Sequence, residues 1–352
     1  MRGFLSEMES YIAGRSIEWA VERSGLPRDK VIKLNSNEHP LGPSPEVIEA
    51  LKGTISHAHH YPSGGGLLRE LAEYSGYPEK NIVIGAGMDG VIDTMLSMYL
   101  DNNDEVMIPI PTFSYYDICA IKYGIPRYIG RSKGFGIDPD MMLEGITNRT
   151  KVVILCSPNN PSGNSIDEAT ARTLAEGFDG VVLIDEAYVE FAEKSLIHLV
   201  REYDNLVVMR TMSKAFALAG LRIGYACLPI KLAEGYNKVN PPFSVGSLGI
   251  AAGIAALKDK RYLKETIRMI CEGRAYLIDN IRFKVYPSEA NFVLVDTSPM
   301  NSSEVADLLA EKGILIRDCS SFKGMGDHFI RCTVGTDEEN AALTSAMEDI
   351  VG

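Results

Sequence analysis

Between residues 81 and 228 the chain repeats one pattern: a short apolar run, a loop carrying Gly, Pro or Asn, then a longer amphipathic stretch. The runs at 81–84, 105–108, 152–156, 181–184, 206–209 and 222–228 have the length of strands, and the stretches at 88–100, 113–123 and 167–177 read as helices. Strands and helices alternating in this way predict an α/β fold, with a mostly parallel central sheet covered by helices. In an open sheet of that kind a ligand sits beyond the carboxyl ends of the strands. The loops that follow the apolar runs are therefore where chemistry is to be sought.

After Asn240-Pro241-Pro242 the texture changes. Helical stretches at 245–258 and 262–281 precede a strand-like 291–295, a helix at 303–312 and strand-like 314–317 and 329–334, which together read as a smaller α+β domain. A chain of 352 residues exceeds one ordinary core, so a large domain at 37–242 and a small C-terminal domain at 243–352 are expected. Residues 1–36 lack a strand partner of their own and are expected to dock on the small domain as an N-terminal arm. No internal repeat or low-complexity tract is visible.

Composition narrows the function classes. Apolar residues at 45% and charged residues at 23% match a folded globular chain. A formal charge of −12 argues against nucleic acid, whose binders need a positive surface to displace counterions. The six cysteines are far apart with no CxxC pair and read as reduced and intracellular. The first 19 residues do not resemble a signal peptide or a mitochondrial presequence, and no run approaches the ~20 apolar residues of a membrane span, so a soluble cytoplasmic protein is expected.

Gly85-Ala86-Gly87-Met88-Asp89-Gly90 follows a strand, opens a helix and formally satisfies a dinucleotide-binding fingerprint. The acidic residue that should end the next strand is absent, since Asp104 and Glu105 stand before the run at 106–108. What remains is simpler. Backbone N–H groups at a helix start, freed of side-chain bulk by glycine, bind a phosphate monoester, and Gly87, Met88 and Asp89 are placed to offer them. A plain tight turn is the alternative.

Four strand exits each carry a different chemical function: Cys156-Ser157-Pro158-Asn159-Asn160-Pro161-Ser162-Gly163, Asp185-Glu186-Ala187-Tyr188, Thr211-Met212-Ser213-Lys214, and Leu221-Arg222-Ile223-Gly224. Asp185 ends an apolar strand, where an unpaired carboxylate is costly and wants a cationic or protonated partner. A protonated pyridine nitrogen is such a partner; a helix cap is the other use of an Asp at this place. Lys214 is flanked by apolar residues, and desolvation frees a neutral amine to attack an aldehyde, although most lysines are simply surface residues. Asn160 and Tyr188 can both reach a phenolate oxygen, or serve as a turn former and a packed aromatic. Ser213 and Arg222 bracket Lys214 and can close a phosphate site. Phe113 can stack on a pyridine face or pack in the core.

With these residues in hand the chain resembles the fold-type I pyridoxal-phosphate (PLP) aminotransferases, most closely the histidinol-phosphate aminotransferase family. CSPNNPSG at 156–163, IDEAY at 184–188 and TMSKAFALAGLRIGY at 211–225 carry the resemblance, which runs from Asn35-Ser36-Asn37-Glu38-His39-Pro40 through Arg331-Cys332-Thr333-Val334-Gly335-Thr336. It implies Lys214 as the lysine that holds PLP as a Schiff base, Asp185 at the pyridine nitrogen, and Asn160 with Tyr188 at the 3′-oxygen. Gly87, Met88, Asp89, Ser213 and Arg222 would hold the cofactor phosphate. Tyr61 would be lent to the neighbouring subunit's phosphate, which implies a homodimer. Tyr11, Asn37, Arg317 and Arg331 match positions associated with substrate, and two arginines suit an anionic one. Phe113, Ser162 and Gly90 stand where Tyr, Thr and Glu are usual in the family.

The resemblance implies ping-pong transfer of an amino group, with glutamate and 2-oxoglutarate as one pair and histidinol phosphate with its keto counterpart as the other. Threonine-phosphate decarboxylation and transamination of aromatic amino acids are the alternatives within the class. A non-catalytic PLP-binding module is the alternative outside it. His57, His59 and His60 crowd one segment, but no metal is expected, because the spacing gives a poor ligand set and the chemistry needs none.

Overall fold

Seven strands build the central sheet, in the order Ile82–Ala86, Ile223–Cys227, Leu206–Thr211, Val181–Asp185, Thr150–Cys156, Glu105–Ile110 and Ile125–Gly130. The computed structural model describes residues 12 and 14–351. All neighbouring pairs are parallel except those of Ile223–Cys227, which runs antiparallel to both of its neighbours. The expected mostly parallel sheet is thus present, with one reversed strand that the sequence pattern did not separate from the rest. Val181–Asp185 and Leu206–Thr211 are buried along their whole length, as central strands covered on both faces must be. Ile125–Gly130 has no continuous apolar run and escaped the sequence reading. It lies at the edge, is half-buried, and carries Pro126, which an edge position tolerates.

Helices cover the sheet with the apolar spacing that their sequences carry. Gly87–Tyr99 buries Met88, Val91, Ile92, Met95 and Leu96, and Tyr115–Tyr123 buries Tyr116, Cys119 and Ala120. The helix Ser247–Lys258 packs against Pro45–Thr54, Gly65–Ser75 and the strand Ile223–Cys227. Its buried Gly249, Ala252, Gly253 and Ala256 allow that close approach. Its packing is therefore on the large sheet, although its sequence position lies beyond the boundary drawn at 242.

A second, antiparallel sheet has the order Arg317–Asp318, Phe329–Thr333, Phe292–Asp296 and Lys284–Val285. Lys260–Asn280, Ser302–Glu311 and Asp337–Val351 pack around it. The N-terminal segment does own a strand, contrary to the sequence reading: Ile32–Lys33 pairs in parallel with Ile314–Leu315. Ahead of it the helix Ile17–Ser24, capped by Ser16, seats Ala20 against Ala310 and Leu315. All six cysteines are unpaired, and five are buried. Among the described residues no helix is long and apolar enough to cross a membrane.

Candidate active site

Register brings the strand exits together. Cys156 lies opposite Asp185, and Asp185 opposite Met209, so three parallel strands end side by side. The reversed strand starts where Leu206–Thr211 stops, with Thr211 opposite Gly224, and so delivers Arg222 to the same edge. A cleft of about 290 Å3 opens there, and Asn37, Met88, Asp89, Phe113, Asn160, Asp185, Tyr188, Ser213, Lys214, Arg222, Arg317 and Arg331 all line it.

The Lys214 ammonium and the Asp185 carboxyl both line the cleft, and neither forms an ion pair among the described residues. The Lys214 ammonium donates to the Ser36 carbonyl at 3.4 Å and forms no ion pair. Burial, reinforced by the Arg331 guanidinium, holds it down at about 8. Asp185 is 1% exposed. Burial pushes its carboxyl up to about 7, against the opposing hydrogen bonds from the Tyr116 hydroxyl and the Ala187 N–H, the latter at 2.9 Å.

The next residue along the chain behaves differently. Glu186 is equally buried, yet its carboxylate accepts from Arg210 Nε at 3.0 Å and Nη2 at 2.8 Å, from the Leu196 N–H at 2.6 Å and from Ser195 Oγ. This fork-shaped contact closes a buried ion pair between the same two strand ends that present Asp185 and Lys214.

The helix Gly87–Tyr99 begins without a side-chain cap; the Gly87 N–H donates to the Arg222 carbonyl at 2.9 Å, while Met88 and Asp89 in the same first turn line the cleft. Gly87 has φ +73°, and a Cβ there would stand 2.6 Å from Arg222 Nη2. Behind it, a Cβ on Gly224 would fall 2.3 Å from the Gly87 carbonyl carbon and 2.4 Å from the Met88 nitrogen. Only glycine fits at either position. Arg222 crosses the mouth of this cradle to Asp89 Oδ2 at 2.6 Å, while Thr211 Oγ1, 2.9 Å from Ser213 Oγ, holds the Ser213 turn.

The small sheet supplies the opposite wall. Arg331 and Thr333 lie two apart on the strand Phe329–Thr333 and share a face. Arg331 donates to Asn160 Oδ1 and to the Asn35 carbonyl, while its buried Nε has no partner among the described residues. Thr333 donates to Asn37 Oδ1 at 3.1 Å, which turns the Asn37 amide nitrogen onto the Tyr188 hydroxyl at 3.0 Å. Burial raises the Tyr188 phenol, so it stays protonated. Arg317 is the direct cross-strand neighbour of Arg331, and both are buried. Both line the cleft, and together they concentrate positive charge there, which suits an anionic ligand.

The model of the class I and II aminotransferases matches residues 29–347 of this chain. The chain belongs to that family. This aminotransferase is 48% identical over 346 residues to the histidinol-phosphate aminotransferase of Methanosarcina mazei, an alignment that covers 97% of this chain and 94% of the relative. The histidinol-phosphate aminotransferase of Methanocella arvoryzae is 44% identical over 355 residues, covering 100% and 98%. The solved structure of histidinol-phosphate aminotransferase from Sinorhizobium meliloti, in complex with pyridoxal 5′-phosphate, is similar with a TM-score of 0.88 at 25% identity, covering 100% of this chain and 97% of that one.

Tyr61, expected at the site, does not line the cleft. Tyr61 is 83% exposed and stacks on Phe243, itself 57% exposed, with ring centroids 4.6 Å apart. Tyr11 lies outside the described residues. Asn37, expected at the substrate, spends its amide nitrogen on Tyr188. Tyr116 and Thr333 were not singled out from the sequence. Their partners Asp185 and Asn37 are 69 and 296 residues away, and no local pattern marks contacts at such separations. The one available signal for Tyr116 was its place on the buried face of a helix that follows a strand exit.

Proposed function

We propose that this aminotransferase uses pyridoxal phosphate, held by Lys214, to exchange an amino group between histidinol phosphate and 2-oxoglutarate. The chemistry of the cleft fits that cofactor. The uncapped helix start, with the Gly87–Gly224 approach behind it, is a cradle for a phosphate monoester. A buried carboxylate without a counter-ion suits a protonated ring nitrogen, and an amine held down at about 8 suits an aldehyde. The substrate assignment is supported by the identity of 44–48% to relatives named for that activity and by the paired guanidiniums of Arg317 and Arg331.

When bound, pyridoxal phosphate supplies an aldehyde that condenses with amines and a ring that delocalises negative charge from the amine's α-carbon. Lys214 would anchor it through its neutral amine and, once an amino donor had displaced that amine, would be placed to accept the proton of the donor's α-carbon on its nitrogen. Asp185 would keep a proton on the ring nitrogen. The Asn160 amide N–H and the Tyr188 hydroxyl would donate to the 3′-oxygen, while Phe113 would stack on the ring. Gly87, Met88, Asp89, Ser213 and Arg222 would hold the phosphate, and Arg331 with Arg317 would take the anionic end of the substrate.

The reading extends to a cytoplasmic homodimer in which Tyr61 serves the neighbouring site, supported by the exposed Tyr61–Phe243 stack. It also extends to an arm at 1–36, a large domain and a small domain, with the last boundary at 258 rather than 242 because of the packing of Ser247–Lys258. The single observation carrying the proposal is the convergence of an uncompensated amine, an uncompensated acid and an uncapped helix start in one cleft. It is tested by borohydride reduction of PLP-supplied protein followed by peptide mapping. The adduct is expected on Lys214, and its absence overturns the cofactor assignment. Purified protein is then assayed for 2-oxoglutarate-dependent turnover of histidinol phosphate and for CO2 release from threonine phosphate; release of CO2 without transamination overturns the substrate assignment.

A further inference from the structure

The residues assigned so far leave open what holds Asp185 in place. Its carboxylate receives two hydrogen bonds, one from the Ala187 N–H and one from the hydroxyl of Tyr116. Tyr116 is wholly buried, on the core face of the helix Tyr115–Tyr123, and its hydroxyl has this carboxylate oxygen as its partner. The ring of the same residue meets Phe113 edge-on, with centroids 5.5 Å apart and planes at 89°. One side chain therefore touches both the acid assigned to the ring nitrogen and the aromatic assigned to the ring face.

We propose that Tyr116 is a positioning residue for the cofactor ring: its hydroxyl orients the Asp185 carboxylate while its ring sets the plane of Phe113. This rests on the cofactor reading above. A buried carboxylate with one donor removed loses a directional constraint as well as a stabilising contact. An edge-to-face contact fixes a ring plane more firmly than apolar packing alone, because the positive edge seeks the negative face. The titratable groups facing Asp185 from its surroundings are Tyr116, Cys156, Asp89, Glu186 and Tyr188. Of these, only Tyr116 donates to the carboxylate in the structure, so its loss favours the protonated acid.

The test uses the full-length protein with Tyr116→Phe, which removes the hydroxyl and keeps the ring, and with Tyr116→Leu, which removes both. For Tyr116→Phe, kcat/KM is expected to fall about ten- to a hundred-fold, the range of one hydrogen bond to a charged group. Its acidic limb is expected to move to higher pH, because the donor that favours the carboxylate is gone. The PLP dissociation constant of the cofactor-free protein, measured by titration, is expected to rise, and the melting temperature of that cofactor-free protein to stay near the parent value. Tyr116→Leu should weaken PLP binding further. An unchanged acidic limb together with an unchanged PLP dissociation constant in Tyr116→Phe overturns the inference. So does a loss of activity that follows a fallen melting temperature alone. Failure of the parent protein to bind PLP overturns the cofactor reading instead, so the two failures are distinguishable.

Discussion

Two pairs of opposite charge stand at the ends of the same two strands and have opposite fates. Glu186 and Arg210 find each other, and the carboxylate is further satisfied by Ser195 and the Leu196 N–H. Asp185 and Lys214 face the cleft, and neither has a counter-ion among the described residues. Burial is comparable for the two acids, so it does not explain the difference. The closed pair has both carboxylate oxygens and two guanidinium nitrogens bonded within the protein, which suits a role in the fold. The open pair has each group displaced from its usual ionisation range and available to something that is not protein.

Breaking the open pair should cost chemistry rather than stability. The largest effect is expected for Lys214→Ala, with kcat reduced by about 10^4-fold or more and the visible cofactor band lost, while the circular dichroism spectrum and melting temperature hold. Asp185→Ala comes next, with roughly a hundred-fold or greater loss in kcat and cofactor still attached to Lys214 on peptide mapping. The closed pair should behave in the reverse sense. Arg210→Met strands a buried carboxylate and is expected to lower unfolding free energy by about 3–5 kcal/mol in denaturant titration, with the kcat of the remaining folded enzyme within about three-fold of the parent. The smallest effect sharpens the comparison through pH. Only the neutral amine attacks an aldehyde, and the Lys214 ammonium is held down at about 8, so the rate of PLP capture by cofactor-free protein should climb with pH and level off above that value. Capture that is flat from pH 6 to 9 contradicts the open state of Lys214.

The parts of this arrangement that lie in local sequence were legible, and those that depend on distant contacts were not. Asp185 ends an apolar run and so marks a strand exit by itself, whereas Lys214 and Asn160 lie beyond the strands Leu206–Thr211 and Thr150–Cys156 and drew their roles from the resemblance carried by the motifs around them. Ile125–Gly130 could not, because an edge strand is half-exposed and its sequence has no apolar run to show. The direction of Ile223–Cys227 was hidden as well, since a buried strand looks alike in either direction; the hydrogen bond from the Met212 N–H to the Ile223 carbonyl closes the return that reverses it. Where Ser247–Lys258 packs was hidden for a related reason. Its small residues say that it packs closely, but not against which sheet. Thr333 reaches Asn37 across 296 residues, and only the assembled fold links them.

The backbone of Gly224 lies directly against that of Gly87 and Met88, with no side chain between them. The backbone part of an anion cradle made in this way has no rotamers to freeze when a ligand arrives. Its ordering entropy was met during folding, so only side chains such as that of Arg222 and the phosphate itself have motion left to lose.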